Sequence, residues 1–335
     1  MRVLITGGTG SLGKMLVKYL LNLGEGEEIR HVQDSDIERV TILSRDELKQ
    51  FEMHQMFPGE GRLVTVIGDV RDLDRLMSVF PGNDVVIHAA ALKQVPVCEY
   101  YPEEAIRTNI LGTLNVCKAA SRCNVQRVIT LSTDKAANPV NLYGATKLAA
   151  EKITVQANQW GSTRYAVCRY GNVFASRGSV VPMFADLASR GESIPITDIM
   201  MTRFWITLPE AAQFVWHSIH RMRGGEIFVP KLPSVHITDL AEAVCEHCKT
   251  HIIGIRPGEK LHEILITCDE VVRTTEFPEY FRISPSFDVG VTWIDGQPVP
   301  QDFVYTSDTN KKWLSVEQLR KVIEEEYEHQ TLYKV

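Results

Sequence analysis

The stretch Thr6-Gly7-Gly8-Thr9-Gly10-Ser11-Leu12-Gly13, set between an apolar run (Val3 to Thr6) and a helical pattern, constrains this chain more than any other feature. Strand, glycine turn and helix in that order form the setting in which such glycine spacing carries meaning. Gly7 would permit the tight turn and Gly10 a close approach of backbone amides to a pyrophosphate. Gly13 would let the helix pack on the sheet. Thr9, Ser11 and Leu12 complete the loop, and an anion there would meet the free amides of the helix N-terminus.

Further apolar, β-rich runs follow at Arg39 to Leu43, Leu63 to Ile67, Val85 to His88 and Val128 to Leu131, with helical patterns between them. Parallel strands need long crossovers, and runs apolar throughout are buried on both faces, so the fold class is α/β with a doubly wound parallel sheet. After Arg169 the pattern loosens into Gly- and Pro-punctuated segments and helices at Pro209 to Arg221, Thr238 to Lys249 and Ser315 to Tyr327. We expect a dinucleotide-binding unit over 1–175 and a smaller C-terminal substrate-binding lobe over 176–335, with segments near 205–235 returning to the first unit. The lobe would close over the carboxyl ends of the strands. The polar stretch Gly24 to Ile37 reads as an exposed insertion.

A net charge of −6 without a clustered basic face gives no footprint for nucleic acid. No apolar run approaches the roughly 20 residues that cross a bilayer, and the N-terminal strand leaves no room for a signal peptide, so a cytoplasmic protein without membrane attachment is expected. Seven scattered cysteines exclude a full disulfide framework and suit a reducing compartment. Cys245 and Cys248 have the spacing of zinc ligands, but the surrounding pattern is helical and no second pair accompanies them, so no metal is expected. His88 is read as a packed strand residue.

The second run ends Leu43-Ser44-Arg45-Asp46, where a carboxylate would suit NAD and a cation the 2′-phosphate of NADP. Ser44 and Arg45, with Lys49 one turn on, favour NADP, although Asp46 complicates that reading. Asp69 and Val70 after the third run, and Ala89, Ala90 and Ala91 after the fourth, would line the same crevice.

The fifth run leads into Thr133-Asp134-Lys135, and eight residues after Lys135 comes Tyr143, with Lys147 four further on. Residues at i and i+4 share a helix face. A lysine so placed would lower the phenol's pKa and hold the nicotinamide ribose, letting tyrosinate accept a hydroxyl proton.

Together TGGTGSLG, STDKAANPVNLYGATK and RYGNV (Arg169 to Val173) resemble the extended short-chain dehydrogenase/reductases, whose nucleotide-binding domain has the Rossmann fold. Within them the chain is similar to the UDP-N-acetylglucosamine 4,6-dehydratases that invert carbon 5 and open the pseudaminic acid pathway, through SRDELKQFEM, HAAALKQVPVCEY, MTRFWIT, GEIFVPKLPS and GIRPGEKLHEILI. The resemblance implies that Tyr143 takes the 4-hydroxyl proton, Lys135 the carbon-5 proton, and Asp134 protonates the departing 6-hydroxyl. It implies Lys93 and Asn172, with Val173, near cofactor and sugar, and Arg256 with Glu259 at the nucleotide end of UDP-N-acetylglucosamine. It also implies that Asn109 supports the loop after the fifth strand, and that the protein is a homo-oligomer, dimer or hexamer.

Rival readings are a UDP-sugar 4-epimerase, which needs Tyr143 and Lys147 but has no use for an acid-base pair at Asp134 and Lys135, and a dehydratase retaining configuration at carbon 5. A non-catalytic NADP-sensing module is a more distant one.

Overall fold

The computed structural model describes residues 1–23, 37–174 and 179–331, the last six as helical backbone alone. The insertion expected over 24–37 falls outside these residues except for Ile37, which is buried. Six parallel strands build the nucleotide-binding half: β1 (Arg2–Thr6), β2 (Arg39–Ser44), β3 (Leu63–Ile67), β4 (Val85–His88), β5 (Arg127–Thr133) and β6 (Arg164–Tyr170). They run in the order β3-β2-β1-β4-β5-β6. The chain turns outward in both directions from β1 and β4, and the crevice that opens at such a reversal is where ligands of these sheets bind.

Strand alternation divides the core. Val3, Ile5, Ile42, Ile87 and Ile129 face one side of the sheet, packed with helices Ser11–Leu20 and Leu208–Arg221. Leu4, Leu43, Val86 and Val128 face the other, against the helix Gly112–Arg122. Side chains that alternate across a strand but are apolar at every position require a layer on each face, as the sequence pattern implied.

The strand Ile227–Pro230 pairs parallel with β6. Beyond it the sheet continues through the antiparallel strands Tyr280–Ile283, Thr274–Glu276 and Gln297–Pro298. More of the C-terminal half therefore joins the large sheet than the 205–235 segment expected, because these short strands extend its far edge. The rest forms a lobe with its own core, in which the helix Ile237–Val244 packs beside the helices Val180–Ser189 and Val316–Thr331.

The helix expected over 238–249 stops at Val244. Cys245 is extended, with φ −154° and ψ 100°, and a disulfide joins it to Cys248 across a Cα separation of 5.4 Å. The two cysteines thus close a turn rather than share a helix side, and the cysteine complement includes one bond that a wholly reduced reading omits. No helix among the described residues is long and apolar enough to cross a membrane.

Candidate active site

A cleft of about 780 Å³ opens at the carboxyl ends of β1, β2, β4 and β5. Its floor is the glycine turn. Gly7 has φ +69°, a left-handed conformation that favours glycine, and a Cβ there would lie 2.7 Å from the Ala90 backbone. The turn is tied to the neighbouring strands by Gly7 N–H to the Leu43 carbonyl (2.8 Å) and Ala90 N–H to Thr6 Oγ1 (3.4 Å). Gly10 is more open, since a Cβ there would meet only the Gly7 carbonyl, at 3.4 Å. The expected role of Gly13 shifts. Its missing side chain clears the Gly8 carbonyl of the turn itself, which a Cβ would approach to 2.1 Å.

Thr9, Ser11, Leu12, Ser44, Arg45, Asp46, Lys49, Asp69, Val70 and Ala89 to Ala91 line this end of the cleft. The Asp46 carboxylate is engaged locally: it caps the helix Glu47–Met56 by accepting from Lys49 N–H at 3.1 Å and pairs with Lys49 Nζ at 2.8 Å. Arg45 is half exposed and reaches only a 3.8 Å contact with Asp69. Ser44 is buried and receives a bond from Gln50 Nε2 at 3.0 Å.

Thr133, Lys135, Tyr143, Lys147, Lys93, Asn172 and Val173 line the opposite end. Asn141 starts the helix Leu142–Gln156 by accepting from Gly144 N–H at 2.7 Å, which fixes the turn from which Tyr143 projects. Gly144 brings that turn against the Asp134–Ala136 segment, since a Cβ there would lie 2.1 Å from the Lys135 carbonyl. Lys147 is buried, donates to the Leu131 carbonyl at 2.5 Å, and is pushed down to about 8 by that burial. Tyr143 is pushed up to about 12 by burial, opposed first by the charge of Lys135. The leading cation acting on the phenol is therefore Lys135, not Lys147 as the helix spacing suggested.

Asp134 is fully buried and stands behind the cleft wall. Burial, then the nearby Glu263 carboxylate, raise its proton affinity; Lys135 and a bond from Thr133 Oγ1 at 2.8 Å work the other way. Lys135 Nζ lies 3.0 Å from Asp134 and 3.2 Å from Glu263, a buried residue that also faces Arg203 at 3.6 Å. Glu263 and Arg203 were not singled out from the sequence. Only the strings MTRFWIT and GIRPGEKLHEILI contain them, and neither offers local spacing that pairs them with Lys135.

Arg256 and Glu259 form an exposed-loop pair at 4.0 Å and do not line the cleft. Their loop is nonetheless anchored to the catalytic helix, because Asn141 Nδ2 donates to the Gly258 carbonyl at 2.7 Å. Asn109 does not support the fifth-strand loop. From a π-helical turn, Ile106–Leu111, it bonds both the amide and carbonyl of Leu92 after β4, at 2.8 and 2.9 Å, and Thr146 at 3.0 Å. His88 is held between Thr6 and Thr113 hydroxyls and kept neutral by burial, which lowers it to about 3.

A doubly wound sheet with a glycine turn at its reversal, and a tyrosine and lysine one helical turn apart beyond β5, defines an extended short-chain dehydrogenase/reductase. More narrowly, the chain belongs to the polysaccharide biosynthesis protein family, whose model matches residues 3–285. It is 49% identical to a UDP-N-acetylglucosamine 4,6-dehydratase (inverting) of Campylobacter jejuni subsp. jejuni serotype O:2, over 96% of each chain. It is 40% identical to a UDP-glucose 4-epimerase of Rickettsia canadensis, over 84% of this chain and 82% of that one. Among solved structures, the Pen protein of Bacillus thuringiensis superposes with a TM-score of 0.85 at 35% identity, covering 97% of this chain and 98% of that one.

Proposed function

We propose that this protein is a UDP-N-acetylglucosamine 4,6-dehydratase that inverts carbon 5, giving UDP-2-acetamido-2,6-dideoxy-β-L-arabino-hex-4-ulose. The observation that carries the reading is the convergence of Tyr143, Thr133 and Lys135 on one cleft wall, with Asp134 buried behind them, where burial raises its proton affinity. Oxidation alone needs only the tyrosine and Lys147. An acid behind the wall and a lysine on it add what elimination requires.

The glycine turn fits a dinucleotide, because Gly7 and Gly13 sit where side chains would collide with backbone and Gly10 leaves its approach open. We infer NADP: Asp46 is committed to its helix cap, leaving Arg45 and Ser44 to receive a 2′-phosphate. Equal affinity for NADP and NAD in a calorimetric titration would remove that assignment. A nicotinamide held beside Tyr143 and Lys147 would supply reversible hydride chemistry between carbon 4 and carbon 6 of the sugar, with no net redox change.

The chain's own residues move the protons. As the tyrosinate that the Lys135 charge favours against burial, Tyr143 accepts the 4-hydroxyl proton while hydride leaves carbon 4, and the resulting ketone acidifies carbon 5. Lys135 removes the carbon-5 proton as the free amine, its own ammonium proton having passed to the Asp134 carboxylate 3.0 Å away. After hydride return to carbon 6, a solvent-derived proton is added to carbon 5 from the opposite face. Asp134 provides the proton for the departing 6-hydroxyl through Thr133, whose hydroxyl bonds it and lines the cleft. Asn172, which lines the cleft with its buried Oδ1 unpaired among the described residues, offers an acceptor that suits a sugar hydroxyl. Lys93 serves the same end of the cleft. Arg256 and Glu259 take the nucleotide on the anchored loop.

Turnover of UDP-N-acetylglucosamine in heavy water tests the reading. The expected product has lost water and carries solvent deuterium at carbon 5. A product that keeps its 6-hydroxyl would make the protein a 4-epimerase, and binding without turnover would make it a sensing module. Lys135→Ala is expected to abolish elimination, and unimpaired turnover would remove Lys135 as the base.

A further inference from the structure

The turn that carries Asp134 and Lys135 is clasped from the other side by the lobe. Lys260 Nζ donates to the Ala137 carbonyl at 2.6 Å, and Arg203 holds the same lobe segment through the carbonyls of Lys260 (3.0 Å) and Leu261 (3.1 Å). Glu263 follows, its amide donating to Ser307 Oγ at 2.9 Å. Its side chain is 2% exposed and one carboxylate oxygen meets Lys135 Nζ, while the other is buried and unpaired among the described residues. A carboxylate kept in such a place at the cost of its hydration needs a compensating task.

We propose that Glu263 is a positioning residue for the elimination, the lobe's carboxylate that fixes the Lys135 side chain against the cleft. This rests on the dehydratase reading for its role in turnover, but not for its effect on Lys135. A lysine held only by Asp134, its neighbour in sequence, is tethered from one side; Glu263 supplies the second point. Two carboxylates sharing one lysine do not both ionise at low cost. Lys135, Arg203 and Lys260 together outweigh the burial of Glu263 and hold its carboxyl below the usual glutamate range, while its negative charge adds to the burial that raises the proton affinity of Asp134. The charged and titratable groups facing Lys135 are thus Asp134 on its own turn, Tyr143 on the catalytic helix, and Glu263, Lys260 and Arg203 from the lobe. Among the lobe groups only Glu263 is an acid.

Lys135 can be titrated without any sugar nucleotide, by competitive acetylation of the full-length protein across a pH series and quantification of the Lys135 peptide by mass spectrometry. Glu263→Gln removes an anion beside the ammonium, so the labelling midpoint of Lys135 is expected to fall by about one pH unit or more. An unchanged midpoint overturns the proposal. Where Glu263→Gln loses its cooperative thermal transition, Glu263→Asp is read instead. It keeps the charge but withdraws it by one methylene, so a smaller fall is expected and a wild-type midpoint counts against the idea. In turnover, the pH profile of kcat in Glu263→Gln should move in the same direction as the labelling midpoint. A lower kcat with an unmoved profile would mark Glu263 as structural only. Failure of the wild-type protein to dehydrate UDP-N-acetylglucosamine would leave the labelling result standing and sink the substrate assignment alone.

Discussion

At the scale of single residues, Tyr143 is the group whose local setting bears most directly on function. Burial disfavours its anion, and the first charge opposing that burial is Lys135 rather than the lysine one turn along its own helix. Tyr143→Phe keeps the ring's packing and removes only the hydroxyl, so kcat is expected to fall by roughly 10²- to 10⁴-fold, as for loss of a general base, with substrate affinity little changed. Steady-state kinetics beside a binding titration checks this; an equal loss in both would place the hydroxyl in binding. Tyr143 and Lys147 were singled out by their spacing beyond the fifth strand, and Asp134 and Lys135 by the family resemblance. The direction of influence between them was not legible. Whether Lys147 points its charge at a phenol or at the Leu131 carbonyl depends on how β5 meets the helix, which residue spacing does not encode. Glu263 was illegible for a stronger reason, since its partner is brought to it only by folding of the lobe onto the sheet.

Among the elements, the junction between the Asp134–Ala136 turn and the helix Leu142–Gln156 sets the site's geometry. Gly144 is buried in that junction, facing the Lys135 carbonyl at a distance no side chain tolerates. Backbone cannot yield as a flexible side chain does. Gly144→Ala is therefore expected to cost about 1–3 kcal/mol by overpacking and to lower kcat, because relief requires moving either Tyr143 or Lys135. Chemical denaturation together with turnover tests this, and a variant with wild-type stability and rate would show the junction to be loose. The glycine turn after β1 was readable because its strand-turn-helix context is local. Gly144 was passed over because nothing in YGATK distinguishes a glycine that clears a carbonyl from one that merely sits in a helix. The lobe's helix ending at Val244 shows the same limit: residues up to Lys249 keep a helical pattern, while the Cys245–Cys248 bond and the pairing of Thr250–Ile252 with Ile194–Ile196 draw the chain away.

Across the whole molecule, one buried ion network joins the large sheet to the C-terminal half. Arg169 on β6 is fully enclosed and donates to Glu151 on the catalytic helix (2.9 and 2.6 Å) and to Glu270 (2.8 Å to each oxygen), while Ser132 on β5 donates to Glu151 at 2.6 Å. The strand that leads into Tyr170 and Asn172, the helix that carries Tyr143 and the segment after Ile266 are thereby locked to one guanidinium. Neutralising Glu270 leaves Arg169 paired with Glu151 and weakens its two charge-assisted bonds to Glu270, so Glu270→Gln is expected to cost about 1.5–3 kcal/mol. The pH dependence has a definite sign. Burial alone would raise the proton affinity of Glu270, but the Arg169 guanidinium and the bonds it donates override that and hold the carboxyl below the usual glutamate range. A carboxyl depressed in the folded state stabilises the fold at pH values above its unfolded pKa of about 4.3, and that contribution is lost as pH falls through the folded value. The gap in unfolding free energy between wild type and Glu270→Gln should therefore be full near neutrality and narrow progressively below about pH 4. Urea unfolding of both proteins across that range measures it. A gap that stays constant into acid would mean that the network's contribution comes from packing around Arg169 and not from the ionised carboxylate, and the link between β6 and the segment after Ile266 would then be steric rather than electrostatic.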